Sequence, residues 1–130
     1  MKKLFVLLFI IITLISCEKE KGNKDSIIGK WEWIMTSHGD FNYSQTPKSV
    51  DSTFYIEFRN NGYYYLYDNS NNQLKELKYE LEKSEQSNKI KFDDFDLTGF
   101  IYTYSITNDT LHIWIANQIY PNTYLYKRLK

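Results

Sequence analysis

The sequence predicts an all-β domain, a small eight-stranded antiparallel up-and-down β-barrel. Apolar and polar residues alternate with a period of two through most of the chain, the pattern of a half-buried strand. The alternating runs are separated by clusters of Asn, Asp, Gly and Ser, the residue types that tight turns demand. Composition agrees: 18% of the residues are aromatic, and aromatic side chains favour the pleated surface of a sheet.

The chain begins Met1-Lys2-Lys3, and Leu4 to Ile15 is apolar except for Thr13. A run of this length falls short of the about 20 residues that span a bilayer, and basic residues in front of it mark a secretory signal. The segment closes on Leu14-Ile15-Ser16-Cys17. This ending resembles the lipobox of bacterial lipoproteins, which implies cleavage of residues 1–16 and acylation of the Cys17 sulfur. Cys17 is the only cysteine, so no intramolecular disulfide can form, and lipidation gives the lone thiol a purpose. Residues 17–26 are charged, small and without apolar periodicity, and are expected to form a flexible tether. The expected location is the cell envelope, lipid-anchored at the outer membrane, with the leaflet left open.

Residues 27–130 read as one domain. Trp31, Trp33 and Met35 alternate on a first strand. Phe54, Ile56 and Phe58 share a face opposite Glu57 and Arg59 on a second. Asn60-Asn61-Gly62 is a hairpin signal. If all three residues form the loop, Phe58 faces Tyr64 and Leu66 points inward; a one-residue slip would invert the strand. Asp68 to Asn72 turns the chain into Leu77, Tyr79 and Leu81, which alternate with Lys78, Glu80 and Glu82. Leu74 to Glu85 contains good helix formers, but this alternation favours a strand. Ile90 and Phe92 follow, then Phe100, Tyr102, Tyr104 and Ile106. Asn108-Asp109 turns into Leu111, Ile113 and Ile115, and a last strand covers Thr123 to Leu129. Thr36 to Asp51 stands apart as a long polar loop carrying His38, Phe41 and Tyr43; loops of this length are often functional.

Ile28-Gly29-Lys30-Trp31 at the first strand, the long first loop, the serial hairpins and a late Arg128 together resemble the lipocalins and their small bacterial lipoprotein relatives. The resemblance covers about Ile27 to Leu129. It implies that Trp31 closes the floor of a cup and that Arg128 packs over it, with Gly29, Trp31 and Arg128 in structural roles. The domain is shorter than typical lipocalins and lacks their disulfides and final helix, which leaves open whether a roomy cup exists.

Removing Lys2 and Lys3 from 16 basic residues leaves 14 against 16 acidic ones, which gives no electrostatic case for nucleic acid. There is no phosphate loop, zinc spacing or nucleophile motif, so no catalytic residue and no cofactor are expected. His112 reads as a solvent-facing strand residue and His38 as a surface loop residue. Asp93, Asp94 and Asp96 could begin a calcium shell, but without EF-hand spacing they read as a polar turn, and no metal is expected. The inward face is the informative set. Trp33, Met35, Phe54, Ile56, Phe58, Leu66, Tyr79, Tyr102 and Tyr104 are the expected ligand-binding residues, joined on that face by Leu77, Phe92 and Ile113. The expected partners are the membrane, through the lipid, and a small hydrophobic or aromatic ligand. The alternative is a solid barrel acting as an interaction module, an accessory subunit or inhibitor, through the outward aromatics Tyr55, Tyr63, Tyr65, Tyr67 and Trp114.

Overall fold

The computed structural model describes residues 26–39, 43–94 and 100–130. The expected signal segment, the tether with Cys17, and Phe41 and Asp96 lie outside these residues. Nine strands and one helical turn follow in chain order: β1 (Gly29–His38), β2 (Tyr43–Gln45), α1 (Pro47–Val50), β3 (Phe54–Phe58), β4 (Tyr63–Asp68), β5 (Gln73–Lys83), β6 (Asn88–Phe92), β7 (Tyr102–Thr107), β8 (Thr110–Ile115) and β9 (Thr123–Arg128). Consecutive strands from β3 to β9 pair antiparallel, and β1 pairs with both β3 and β9. Eight strands therefore close into an antiparallel up-and-down barrel, and β2 is a short flap on the far half of β1. No helix among the described residues is long and apolar enough to cross a membrane.

The turns explain the register. The Arg59 N–H donates to the Tyr63 carbonyl at 2.9 Å across Asn60-Asn61-Gly62, and Gly62 sits at φ +83°, a value that favours glycine. All three residues form the loop, so Phe58 faces Tyr64 and Ile56 faces Leu66. At the next turn Asp68 Oδ1 accepts from the backbone N–H of Ser70 and Asn72, at 2.9 and 2.8 Å. Asn108 and Asp109 both adopt positive φ between the paired Thr107 and Thr110, as the twist-matched two-residue hairpin requires.

The first strand departs from simple alternation. Trp33 faces Tyr126, but Met35 faces Leu125 and Thr36 faces Tyr124, so a bulge lies between Trp33 and Met35. The extra residue inverts everything beyond it. Met35 is consequently turned to the outer face with Leu125, and Thr36 and His38 turn inward. The expected loop from Thr36 also begins later and carries β2 and α1. β1 runs on to His38, which pairs with Tyr43, and Thr46 caps α1 by accepting from Ser49 N–H while Ser49 Oγ accepts from Thr46 N–H.

Up-and-down connectivity gives the barrel two ends. The β3–β4, β5–β6 and β7–β8 turns, Ser26 and Lys130 mark the floor; the other loops ring the mouth. Large side chains fill the floor: Trp31, Phe58, Ile90 and Leu111 are wholly buried, each contributing on the order of 1.5–3 kcal/mol by leaving water. Ile27 closes it from below, its carbonyl accepting the Trp31 indole N–H at 2.8 Å.

Candidate ligand-binding cavity

The floor ends in a plug. The Arg128 guanidinium lies 4.1 Å from the Trp31 ring centre and donates to the carbonyls of Ser26 at 2.9 Å and Ile28 at 3.3 Å. Its Nε is 3.4 Å from an Asp109 carboxylate oxygen. Gly29 beside it sits at φ +132°, a backbone conformation that favours glycine, and a Cβ there would be in ordinary contact with the guanidinium at 3.6 Å.

Above the plug the interior is not filled. A cavity of about 230 Å³ opens between Ile56 on β3, Tyr64 and Leu66 on β4, Lys75 and Leu77 on β5, Phe92 on β6, Tyr102 on β7, Ile113 on β8, and Tyr124 and Tyr126 on β9. It is far larger than the roughly 30 Å³ share of one water, and an apolar void of about 150 Å³ suffices for benzene. Its aromatic wall is continuous: Tyr64 meets Phe58 at 5.1 Å and Phe92 at 5.1 Å, and Phe92 meets Tyr102 at 5.4 Å. These are tilted or edge-on contacts, the arrangements that ring quadrupoles favour.

The polar groups of this cavity are phenols and one ion pair. Burial pushes the Tyr126 phenol well above its usual range, and Tyr64, Tyr124 and Tyr102 add to the effect. Burial also raises Tyr64, with Tyr102 contributing, and raises Tyr102, with Tyr124 and Asp94 contributing. Burial thus holds the Tyr64, Tyr102 and Tyr126 hydroxyls neutral, and a phenol can donate or accept a hydrogen bond. Lys75 pairs with Asp94 at the edge of the cavity, both partly exposed. The arrangement suits a compact apolar or aromatic body with a single polar group.

A second space of about 380 Å³ lies nearer the mouth, against Trp33, Thr36, His38, Gln45, Val50, Ser52, Phe54 and Tyr124. Trp33 stacks on Phe54 with ring centres 4.8 Å apart and planes 11° from parallel. The Trp33 indole N–H donates to Thr36 Oγ1 at 2.9 Å, so the bulge that buries this threonine also satisfies the indole. Nδ1 of His38 lies 3.1 Å from Asn122 Oδ1, and its ring stacks on Tyr43 at 5.8 Å. The two spaces share Tyr124 as a wall.

The expected ligand-binding residues therefore divide. Ile56, Leu66 and Tyr102 line the inner cavity, and Trp33 and Phe54 line the upper space. Phe58, Tyr79 and Tyr104 are packed in the core; the Tyr79 hydroxyl donates to the Arg59 carbonyl at 2.6 Å. Met35 faces outward beyond the bulge. His38 is a mouth residue rather than a surface one. Tyr64, Lys75, Tyr124 and Tyr126 went unmarked. The expected pairing of Arg128 with Trp31 already held the signal for two of them, because 128, 126 and 124 share one face. Lys75 is on the face of Leu77, where a lysine does not announce itself.

The outward aromatics also divide. Tyr63, Tyr65 and Tyr67 form a row with centres 6.4 and 6.2 Å apart. Arg59 covers Tyr65 at 4.2 Å and Lys30 covers Tyr67 at 4.8 Å, while Glu57 accepts from Arg59 at 2.9 Å and from the Tyr67 hydroxyl at 3.0 Å. Tyr65 is buried and none of the four tyrosines is fully exposed. Trp114, on β8, is three strands away from β3 around the barrel. The row is covered by its own charged neighbours and does not form one apolar patch with Trp114. Among the described residues no group of three or more His, Cys, Asp or Glu side chains converges on a possible metal site. His112 is half-buried on the outer face, opposite Ser105 and Leu125.

No family model matches the chain, and no curated protein matches it. Among solved structures it is similar to fatty-acid-binding protein 1 of Echinococcus granulosus, with a TM-score of 0.44 and 8% identity over 80% of this chain and 98% of that one. The case for a ligand rests on the cavity of this chain.

Proposed function

We propose that this protein is a lipid-anchored binding protein of the cell envelope that holds a small apolar or aromatic molecule inside its barrel. The observation that carries this reading is the cavity of about 230 Å³ walled by Ile56, Leu66, Leu77, Phe92 and Ile113 and furnished with the phenols of Tyr64, Tyr102, Tyr124 and Tyr126. A largely apolar site with a few convergent polar groups is what small-molecule recognition uses. The volume lies just below the usual range of about 300–1,000 Å³ for ligand sites, so the ligand is compact, or extends past Tyr124 into the upper space. Binding rather than catalysis is the reading, because the cavity offers hydrogen bonds and apolar contact and no nucleophile paired with a base.

Native mass spectrometry of the domain 26–130, purified gently from its host, tests the proposal directly. A co-purifying small molecule that leaves on denaturation is the expected result. Two filling variants, Leu66→Trp and Leu77→Trp, check the place. Each is expected to weaken binding of an environment-sensitive aromatic probe by about ten-fold while far-UV circular dichroism stays unchanged, at a folding cost of about 1–3 kcal/mol for overpacking. Unchanged probe binding in both folded variants would remove the cavity as the site. For the anchor, Cys17→Ser is expected to move the chain from the membrane fraction and to abolish metabolic labelling by fatty acid.

A further inference from the structure

Large apolar side chains left exposed on a folded domain carry information when they gather, and none when they are scattered singly. Eight are exposed among the described residues: Tyr43, Val50, Leu74, Leu81, Phe100, Ile119, Tyr120 and Leu129. All but Leu81 and Leu129 belong to the loops and strand ends at the mouth. Ile119 is 91% exposed and Tyr120 62%, in the β8–β9 loop. The backbone of Tyr120 lies so close to Gly39 that a Cβ there would be 2.9 Å away. Tyr43 stacks on His38, which meets Asn122 of that same β8–β9 loop. Val50 and His38 line the same upper space. Tyr43, Val50, Ile119 and Tyr120 therefore belong to one rim, directly over the way into the barrel.

We infer that this rim is a membrane-docking surface: the mouth seats its apolar side chains in the interface of a lipid bilayer, so that an apolar ligand can pass between bilayer and cavity without crossing water. The inference rests on the proposed anchoring at Cys17 and deepens the binding reading. Chain length supports it. Ser26 leaves the barrel at the floor, and the ten residues from Cys17 to Ser26 reach about 33–36 Å when extended. A ten-residue strand such as β1 is about 33 Å long, and at a tilt of about 40° it rises only about 25 Å along the barrel axis. The tether can therefore pass the whole height of the barrel, and an anchored chain can present its mouth to the bilayer that holds its own lipid. The tether also keeps the rim at high effective concentration near that surface, which adds to the affinity that the exposed side chains have by themselves. Charge places the interaction in the apolar layer. The described charges at the mouth, Lys48, Asp51, Asp68 and Asp93 among them, are not net basic, so attraction to anionic headgroups contributes little.

The test uses the domain 26–130, in which the barrel closes completely between Gly29 and Arg128, and vesicles of phosphatidylcholine. Co-sedimentation is expected to show the domain partitioning onto the vesicles, changed by less than about two-fold between low and high salt. The variant Ile119→Asp with Tyr120→Ser is expected to bind about ten-fold more weakly, and Leu81→Asp, at the other end of β5, to bind as the parent does. Absence of vesicle binding by the parent domain overturns the inference. So does equal binding by the rim variant, equal loss in the Leu81 variant, or a rim-dependent dimer seen by light scattering in place of vesicle binding. Probe binding measured without vesicles reads the cavity alone, so a failed cavity and a failed docking surface give different results.

Discussion

Arg128 shows how much structure one side chain can hold together. Its charge stands over the Trp31 ring while its nitrogens reach two carbonyls of the segment that enters β1. Hydrogen bonds from a charged donor contribute about 1.5–3 kcal/mol each, and removal of one partner leaves buried carbonyls without it. Arg128→Ala is therefore expected to lower the unfolding free energy by about 2–4 kcal/mol in a urea titration. Arg128→Lys should recover less than half of that loss, because an ammonium lacks the planar fork that spans both carbonyls. Equal stability of the parent and the alanine variant would refute the plug. At this scale the sequence was legible where one residue had one neighbour to find, as with Trp31 and Arg128. It was not legible for Thr36, whose value lies in receiving the Trp33 indole N–H across a bulge, nor for Lys75, a charged residue on an inward face.

Strands and turns set the face that each side chain shows, and their own chemistry decides how well that can be read. The β3–β4 hairpin was legible in full, because Asn60-Asn61-Gly62 admits a three-residue loop whose register sends Leu66 inward. The β1 bulge was not, because an extra residue in a strand leaves no mark in composition. Met35 was consequently expected inside and lies outside, while His38 was expected on the surface and lies at the mouth. The hairpin offers a clean measurement. Gly62 is at φ +83° with the nearest atom to a Cβ at 3.8 Å, so a substitution there meets backbone strain and not a clash. Gly62→Asn is expected to cost least, since asparagine tolerates a left-handed backbone. Gly62→Ala should cost about 1 kcal/mol, and the branched Gly62→Val about 1–3 kcal/mol. Urea midpoints that failed to follow this order would show that side-chain crowding governs the turn.

On the scale of the whole barrel, the tyrosines that line the cavity and floor act together on stability. Burial raises the phenols of Tyr64, Tyr79, Tyr102, Tyr104 and Tyr126 above their ordinary value of 10.0. A raised folded value means that the folded chain keeps a proton that the unfolded chain releases. The stabilisation is then fully present below pH 10 and is lost as the pH climbs from there through the folded values. Each phenol still protonated in the folded state adds about 1.4 kcal/mol of destabilisation per pH unit in that window. Five together make the decline steep, so the barrel is expected to hold constant stability, as far as these groups decide it, up to about pH 10 and to unfold cooperatively soon above it. Urea titrations at half-unit intervals from pH 8.5 to 11 check the slope. Tyr102→Phe and Tyr64→Phe should each make the decline shallower by about one proton's share, because a phenylalanine has nothing to release in the unfolded chain. An unchanged slope in both variants would mean that these phenols ionise as readily in the barrel as in water. The neutral lining attributed to the cavity would then be lost along with the alkaline limit, since both follow from the same burial.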